Sequence, residues 1–307
     1  MRRDQAEVDR VIKDWTNHTL LGEPREVGLR REDYAKYHGD RCLQALDLIP
    51  NPGERGTLLE LGSGLYLMTF LLERFVNYDL ELVQYWDKPD GDYESILLDT
   101  SNGGKRKTYP FKHFDAETSV FPYPDGSFDV IVSCEILEHF LCDPVHVLAE
   151  CHRVLKPGGV IVLTTPNAMR WNNISKLIRG KNIFDKYVRE SASARHPREY
   201  IPAEVVALFE AVGFDVTHMD TKDLTREDEG PFVKVVTRCS VGLFDAADRL
   251  RGRGGSPTAK WRGQHIFLVA KRKGTATKVY PEFLFEKAHL SGPVIDAICR
   301  PTNSSSE

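Results

Sequence analysis

Glu135, Glu138 and His139 stand at i, i+3 and i+4 in Glu135-Ile136-Leu137-Glu138-His139, so on a helix the three side chains share one face. Two carboxylates and an imidazole converging there can hold a divalent cation, and His196, in His196-Pro197-Arg198-Glu199-Tyr200, can close the site from the other side. A hard ion such as Mg²⁺ accepts carboxylate oxygens readily and keeps positions for water or substrate oxygens. An acceptor hydroxyl bound to it loses its proton more easily, which is Lewis-acid assistance. Two other roles stay open for the same residues: His139 as a metal-free general base or pocket residue, and a purely structural turn.

A second chemical stretch is Thr57-Leu58-Leu59-Glu60-Leu61-Gly62-Ser63-Gly64, an apolar run containing an acid and closing on two glycines one residue apart. The pattern predicts a buried parallel strand and a tight loop ahead of a helix. Glycine reaches positive φ and has no Cβ, so Gly62 and Gly64 let a flat or anionic ligand lie against bare main chain. Glu60 can accept hydrogen bonds from a ligand hydroxyl or amine. A phosphate loop fits less well, because no Gly-Lys-Ser/Thr follows and position 67 is Leu67. Asp87, 27 positions after Glu60 and at the end of an expected second strand Leu80 to Trp86, suits a grip on a ribose diol. A structural βα turn and a solvated loop acid are the plain alternatives for these residues.

The elements that must carry these groups alternate. After the glycine loop come a helix from Tyr66 to Phe75, the second strand, and a stretch at 88–110 that reads as a widened or inserted loop. Pro124-Asp125-Gly126-Ser127 turns the chain into the central strand Phe128 to Cys134, a helix covers Asp143 to Val154, and Lys156-Pro157-Gly158-Gly159 leads to the strand Val160 to Thr165. Strand, helix, strand in alternation predicts an α/β, Rossmann-like, doubly wound, mostly parallel sheet with helices on both faces.

Six pieces in chain order resemble a class I S-adenosylmethionine-dependent methyltransferase over roughly residues 55 to 220: Leu59-Glu60-Leu61-Gly62-Ser63-Gly64, Asp87, Asp115-Ala116, Phe121 to Asp129, Glu135-Ile136-Leu137-Glu138-His139 and Arg153-Val154-Leu155-Lys156-Pro157-Gly158-Gly159. The resemblance implies a seven-stranded sheet and S-adenosylmethionine as cofactor. It places Gly62, Ser63 and Gly64 at the methionine part, Glu60 near the amino group and Asp87 at the ribose. Asp115 and Ala116 fall at the adenine, with Glu135 bordering the same crevice. Family members commonly have a third glycine where this chain has Tyr66, so the tyrosine must turn outward or the loop must widen. The Glu135-x-x-Glu138-His139 motif with His196 is similar to the metal set of small-RNA 2′-O-methyltransferases. Its first part is similar to the ubiquinone-pathway O-methyltransferases.

The whole chain sets limits. Its 307 residues, 41% of them apolar, suffice for one large domain, and a formal charge of −4 gives no general attraction to nucleic acid or membrane. No run of about 18 apolar residues and no signal-peptide core is visible, which places the protein in the cytoplasm. Cys42, Cys134, Cys142, Cys151, Cys239 and Cys299 form no C-x-x-C pair and are expected as reduced thiols. Residues 1–54 read as a helical lid, 55–273 as the catalytic domain with insertions near 168–195 and 222–263, and 274–307 as a tail. The first insertion, with Trp171, Lys176, Arg179, Lys181 and Phe184, suits a sugar or phosphorylated acceptor, or is an amphipathic helix with a solvated basic face. The expected acceptor is a hydroxyl of a small molecule, glycan or natural product. RNA ribose methylation and a non-catalytic cofactor-binding scaffold are the alternatives.

Overall fold

The computed structural model describes residues 3–21, 31–85, 89–184, 196–224, 231–250 and 261–285. Its strands are β1 (His18–Leu20), β2 (Gly56–Leu61), β3 (Tyr78–Gln84), β4 (Gly91–Asp99), β5 (Lys105–His113), β6 (Phe128–Cys134), β7 (Leu155–Pro166), β8 (Phe214–Lys222) and β9 (His265–Arg272). Its helices are α1 (Gln5–Thr16), α2 (Arg31–Asp47), α3 (Leu67–Phe75), α4 (Pro144–Val154), α5 (Trp171–Ile178), α6 (Pro202–Val212) and α7 (Pro231–Leu250). All strands join one sheet in the order β1-β4-β5-β3-β2-β6-β7-β9-β8.

The run β5-β3-β2-β6-β7 is parallel, and β9 and β8 follow antiparallel. These are the seven strands expected, but the sheet has nine. The stretch 88–110 is not a widened loop. Within it β4 and β5 pair antiparallel from Gly91↔His113 to Asp99↔Lys105, turning at Gly103 and Gly104, whose φ values are 62° and 77°. β1 then pairs with the outer edge of β4. Among the described residues the N-terminal segment contains the strand β1 besides α1 and α2.

Central strands are apolar on both sides because both faces are covered. Neighbouring residues split between two cores: Leu59, Ile131, Val147, Val205 and Phe209 on one face, and Leu58, Val132, Leu71, Leu46 and Trp15 on the other. Helix ends follow capping chemistry. Asp4 accepts from the Ala6 amide at 3.1 Å to start α1, Asp143 accepts from the His146 amide at 2.8 Å with Pro144 beginning α4, and Gly213, at φ 101°, stops α6.

The first insertion contains α5 and the second α7, while residues 185–195, 225–230 and 251–260 lie outside the described residues. The tail as far as 285 is tied down: the Thr277 amide donates to Val212 O at 2.9 Å and Tyr280 Oη donates to Asp143 Oδ2 at 2.8 Å. Among the described cysteines, Cys42, Cys134, Cys151 and Cys239 are free thiols, as expected, and Cys299 lies outside the described residues. Among the described residues no helix is long and apolar enough to cross a membrane.

Candidate active site

β2 delivers the glycine loop to the carboxyl end of the sheet. The amides of Gly62 and Ser63 both donate to Val83 O, at 2.9 and 3.0 Å, locking the loop to β3. Gly62 has φ 87°, and a Cβ there would collide with Cδ1 and Cγ1 of Ile136. Its glycine is thus required by backbone conformation and by a neighbouring side chain. Gly64 faces open space, with nothing within 4 Å of the position its Cβ would take. Tyr66 neither turns outward nor widens the loop. It adopts φ 63°, is fully buried, and stacks on Tyr109 with centroids 4.8 Å apart. The Gln84 amide donates to Tyr66 Oη and, at 3.1 Å, to Ser63 Oγ, so one buried carboxamide holds both residues.

Glu60 is buried beneath this loop, accepting from Thr69 Oγ1 at 2.6 Å. Burial pushes its carboxyl up to about 7, with the Thr69 hydrogen bond opposing. A raised acid pKa favours the protonated folded state, so this stabilisation is complete below the ordinary value of 4.5 and is lost as pH rises through about 7. The loss approaches about 3 kcal/mol at most, at about 1.4 kcal/mol per pKa unit. Urea denaturation from pH 5 to 8.5 is expected to show it in the parent protein and not in Glu60→Gln; parallel profiles would refute the assignment.

Asp115 follows β5 and caps its own turn. Its Oδ1 accepts from the Glu117 amide at 3.0 Å and its Oδ2 from Thr118 Oγ1 at 2.9 Å, with Ala116 half-buried beside it. Asp87 lies outside the described residues. Glu117, not singled out by sequence, accepts from three consecutive amides, Leu141, Cys142 and Asp143, at 2.9, 2.7 and 2.7 Å. It fixes the loop that follows the acidic motif.

That motif is not on an α-helix. Glu135 follows β6 in the left-handed region at φ 56°, Leu137–His139 is a single 3₁₀ turn, and α4 begins only at Pro144. The i, i+3, i+4 face therefore does not form. Glu135 turns instead to Arg41 of α2, whose Nη1 lies 2.9 Å from its Oε2; His265 Nδ1 of β9 lies 3.2 Å from the same oxygen. Thr164 Oγ1 donates to Oε1 at 2.9 Å. Burial pushes the Glu135 carboxyl up, but Arg41 and His265 overcome it and hold the group well below its usual range. Glu138 goes the other way: burial, then the Glu135 charge, drive it well above the usual carboxylate range. The same neighbourhood thus pushes two nearby carboxyls in opposite directions.

Glu138, His139 and His196 do come together, each offering a ligand atom within 4.8 Å of the others. Glu138 is fully buried. Its Oε2 accepts from Thr165 Oγ1 at 3.0 Å, while Oε1, with no hydrogen-bond partner among the described residues, lies 4.0 Å from His196 Nε2. The His139 and His196 rings meet edge to face, with centroids 5.0 Å apart. His196 Nδ1 lies 3.3 Å from Glu199 Oε1, and Glu199 in turn pairs with Arg170 at 2.5 Å. Burial raises Glu199, but hydrogen bonds from His196 and Arg170 bring it down to about 2. An ionised carboxylate behind one ring nitrogen directs the other toward Glu138, the arrangement that orients metal-ligating or proton-shuttling histidines.

With Glu135 withdrawn, the set is two imidazoles and one carboxylate. The orphaned Glu138 oxygen fits a cation, but this donor set, with two imidazoles, suits a borderline ion such as Fe²⁺ or Zn²⁺ better than the expected Mg²⁺.

Ile136, seated on Gly62, joins the acidic turn to the glycine loop. Residues 59–163 match the family model of the methyltransferase domain. A protein of Mycolicibacterium smegmatis named "Probable S-adenosylmethionine-dependent methyltransferase" is 36% identical over 95 residues, 31% of this chain and 32% of that protein. The ubiquinone biosynthesis O-methyltransferase of Pseudomonas aeruginosa is 35% identical over 99 residues, 29% of this chain and 42% of its own length. The similarity thus spans about a third to two fifths of these relatives. A chain from the complex of the Haloferax volcanii Trm112 methyltransferase activator with a methyltransferase superposes with TM-score 0.48 at 16% identity, covering 89% of this chain and all of that one. The family match over residues 59–163 is thus to a methyltransferase domain, and the two named relatives are methyltransferases.

Arg41, His265 and Glu117 could not be read from the sequence, since each meets the motif only through the fold. His38, near Arg41, is driven down to about 4 by burial first and by the Arg41 charge next, so it stands neutral beside the ion pair.

Proposed function

We propose that the protein is a class I S-adenosylmethionine-dependent methyltransferase that methylates a hydroxyl oxygen of a small molecule or glycan. The observation that carries this reading is the meeting of His139, His196 and buried Glu138 on a turn that touches the glycine loop through Ile136. Gly64 leaves main chain bare, the buried Glu60 carboxyl suits an ammonium, and Arg41 has a buried Nε without a hydrogen-bond partner among the described residues, which suits a carboxylate. These groups fit the amino-acid end of the cofactor, with Ser63 holding the loop and Asp115, Ala116 and Glu135 on the neighbouring strand ends.

When bound, S-adenosylmethionine supplies a methyl group already activated on a sulfonium. The chain then has to hold the acceptor oxygen in line with that carbon and remove one proton. His139 would take the proton from the acceptor hydroxyl as that oxygen is methylated. The His196–Glu199 pair anchors the neighbouring imidazole, so the acceptor meets a fixed wall.

A second reading rests on the unpartnered Oε1 of Glu138. Glu138, His139 and His196 would hold a divalent cation, whose chemistry is to lower the pKa of a coordinated hydroxyl. Transfer of labelled methyl into a cell extract, with and without excess chelator, separates the two. Full activity in chelator ends the cation reading; loss restored by Fe²⁺ or Zn²⁺ more than Mg²⁺ supports it. Calorimetry with S-adenosylmethionine and its demethylated product is expected to give micromolar binding of both, and no binding of either overturns the whole proposal.

A further inference from the structure

α5 is inside out. Its buried residues are Asn173 and Ser175, and Asn173 Nδ2 donates to Ala168 O at 2.9 Å and to Glu199 Oε2 at 3.3 Å, wiring the helix to the site's support. The apolar end points to solvent, with Leu177 57%, Ile178 52% and nearby Phe184 74% exposed. Its neighbour α7 repeats the pattern. Thr237 and Val241 are buried, while Val235, Cys239, Leu243, Ala246 and Leu250, spaced three to four residues apart, form an exposed stripe. The two helices pack together, and Arg238 of α7 lies over the Trp171 ring of α5 at 5.7 Å. Twenty residues of α7 span about 30 Å, at about 1.5 Å per residue.

A water-facing stripe of this kind marks a docking surface, and the charge beside it selects the occupant. Residues 168–184 carry Arg170, Lys176, Arg179 and Lys181 and no acid, in a chain whose formal charge is −4. Arg170 pairs inward with Glu199, Lys176 is half-buried, and Lys181 is exposed. A two-fold contact between copies would set this basic cluster against itself. Apolar side chains flanked by Lys and Arg match an interface of acyl chains beneath anionic headgroups.

We infer that α5 and α7 form a lip that docks the protein peripherally on an anionic lipid surface, with the candidate active site behind it. The inference stands on this surface and does not require methyl transfer. It is tested by flotation of the full chain with vesicles of phosphatidylcholine alone and of phosphatidylcholine with phosphatidylglycerol. Binding is expected only to the latter and is expected to weaken severalfold when salt is raised from low to moderate concentration.

Lys176→Gln with Lys181→Gln is expected to lower vesicle binding roughly thirty-fold, each basic side chain near such a surface contributing about 1 kcal/mol. Leu177→Ser with Phe184→Ser, both at exposed positions, is expected to abolish flotation with an unchanged thermal midpoint. Absence of flotation with either vesicle overturns the inference, as does binding indifferent to the lysine pair. So does a concentration-dependent dimer that the serine variants dissolve.

Discussion

Arg41→Ala is expected to lower folding stability by about 3–5 kcal/mol, the cost of stripping one partner from a buried ion pair. Arg41 is 5% exposed and its Nη1 lies 2.9 Å from Glu135 Oε2. Removing it leaves the carboxylate in the interior without its guanidinium, faced by His265 and the Thr164 hydroxyl. Glu135 is held low in the folded state, so its contribution is present above the ordinary value of 4.5 and is lost as pH falls through the depressed folded value. The gap between parent and Arg41→Ala is therefore expected to be widest at neutral pH and to narrow below about 4.5. Arg41→Met with Glu135→Gln removes charge and partner together and should recover most of the loss. Equal urea midpoints for parent and Arg41→Ala at pH 7 would dismiss the pair as a stabilising element.

The second large effect is kinetic. His139→Asn is expected to slow methyl transfer by about 10²–10⁴-fold, the usual worth of a positioned general base. Affinity for S-adenosylmethionine should stay within a few-fold, because His139 faces His196 and Glu138 rather than the glycine loop. A rate within a few-fold of the parent would remove His139 from the chemistry, and tighter or weaker cofactor binding alone would move it to the crevice wall. His196→Asn loses the ring held by Glu199 and should give a smaller loss, since it acts on the acceptor's surroundings.

The parallel half of the fold was legible because β2, β6 and β7 are apolar runs bounded by turns, a pattern set by burial on both faces. The β4–β5 hairpin was not. Its two strands mix exposed, half-buried and buried positions and are interrupted by charges, so no apolar run marks them, and pairing across Gly103-Gly104 makes them strands. Within the site, residue types were readable but geometry was not. The motif spacing fits a helix, yet Glu135 takes positive φ and is captured by Arg41 and His265, residues distant in the chain. His196 was reachable from sequence only as a distant partner, and its backing by Glu199 follows from Arg170 and Asn173 closing around that carboxylate. Tyr66 was misjudged because the cavity that receives it is made by Tyr109 of the unforeseen hairpin.

The three residues of β1 close one flank of the sheet. Strand β4, nine residues long and half in water, would otherwise offer a row of unsatisfied amides and carbonyls to any passing chain. β1 pairs with Leu97–Asp99, and the Leu21 amide on Ile96 O at 2.8 Å and the Thr100 amide on Asn17 O at 2.8 Å extend that cover by one residue on each side. Residues 17–21 thus shield one end of the added hairpin's outer edge from lateral pairing with another chain.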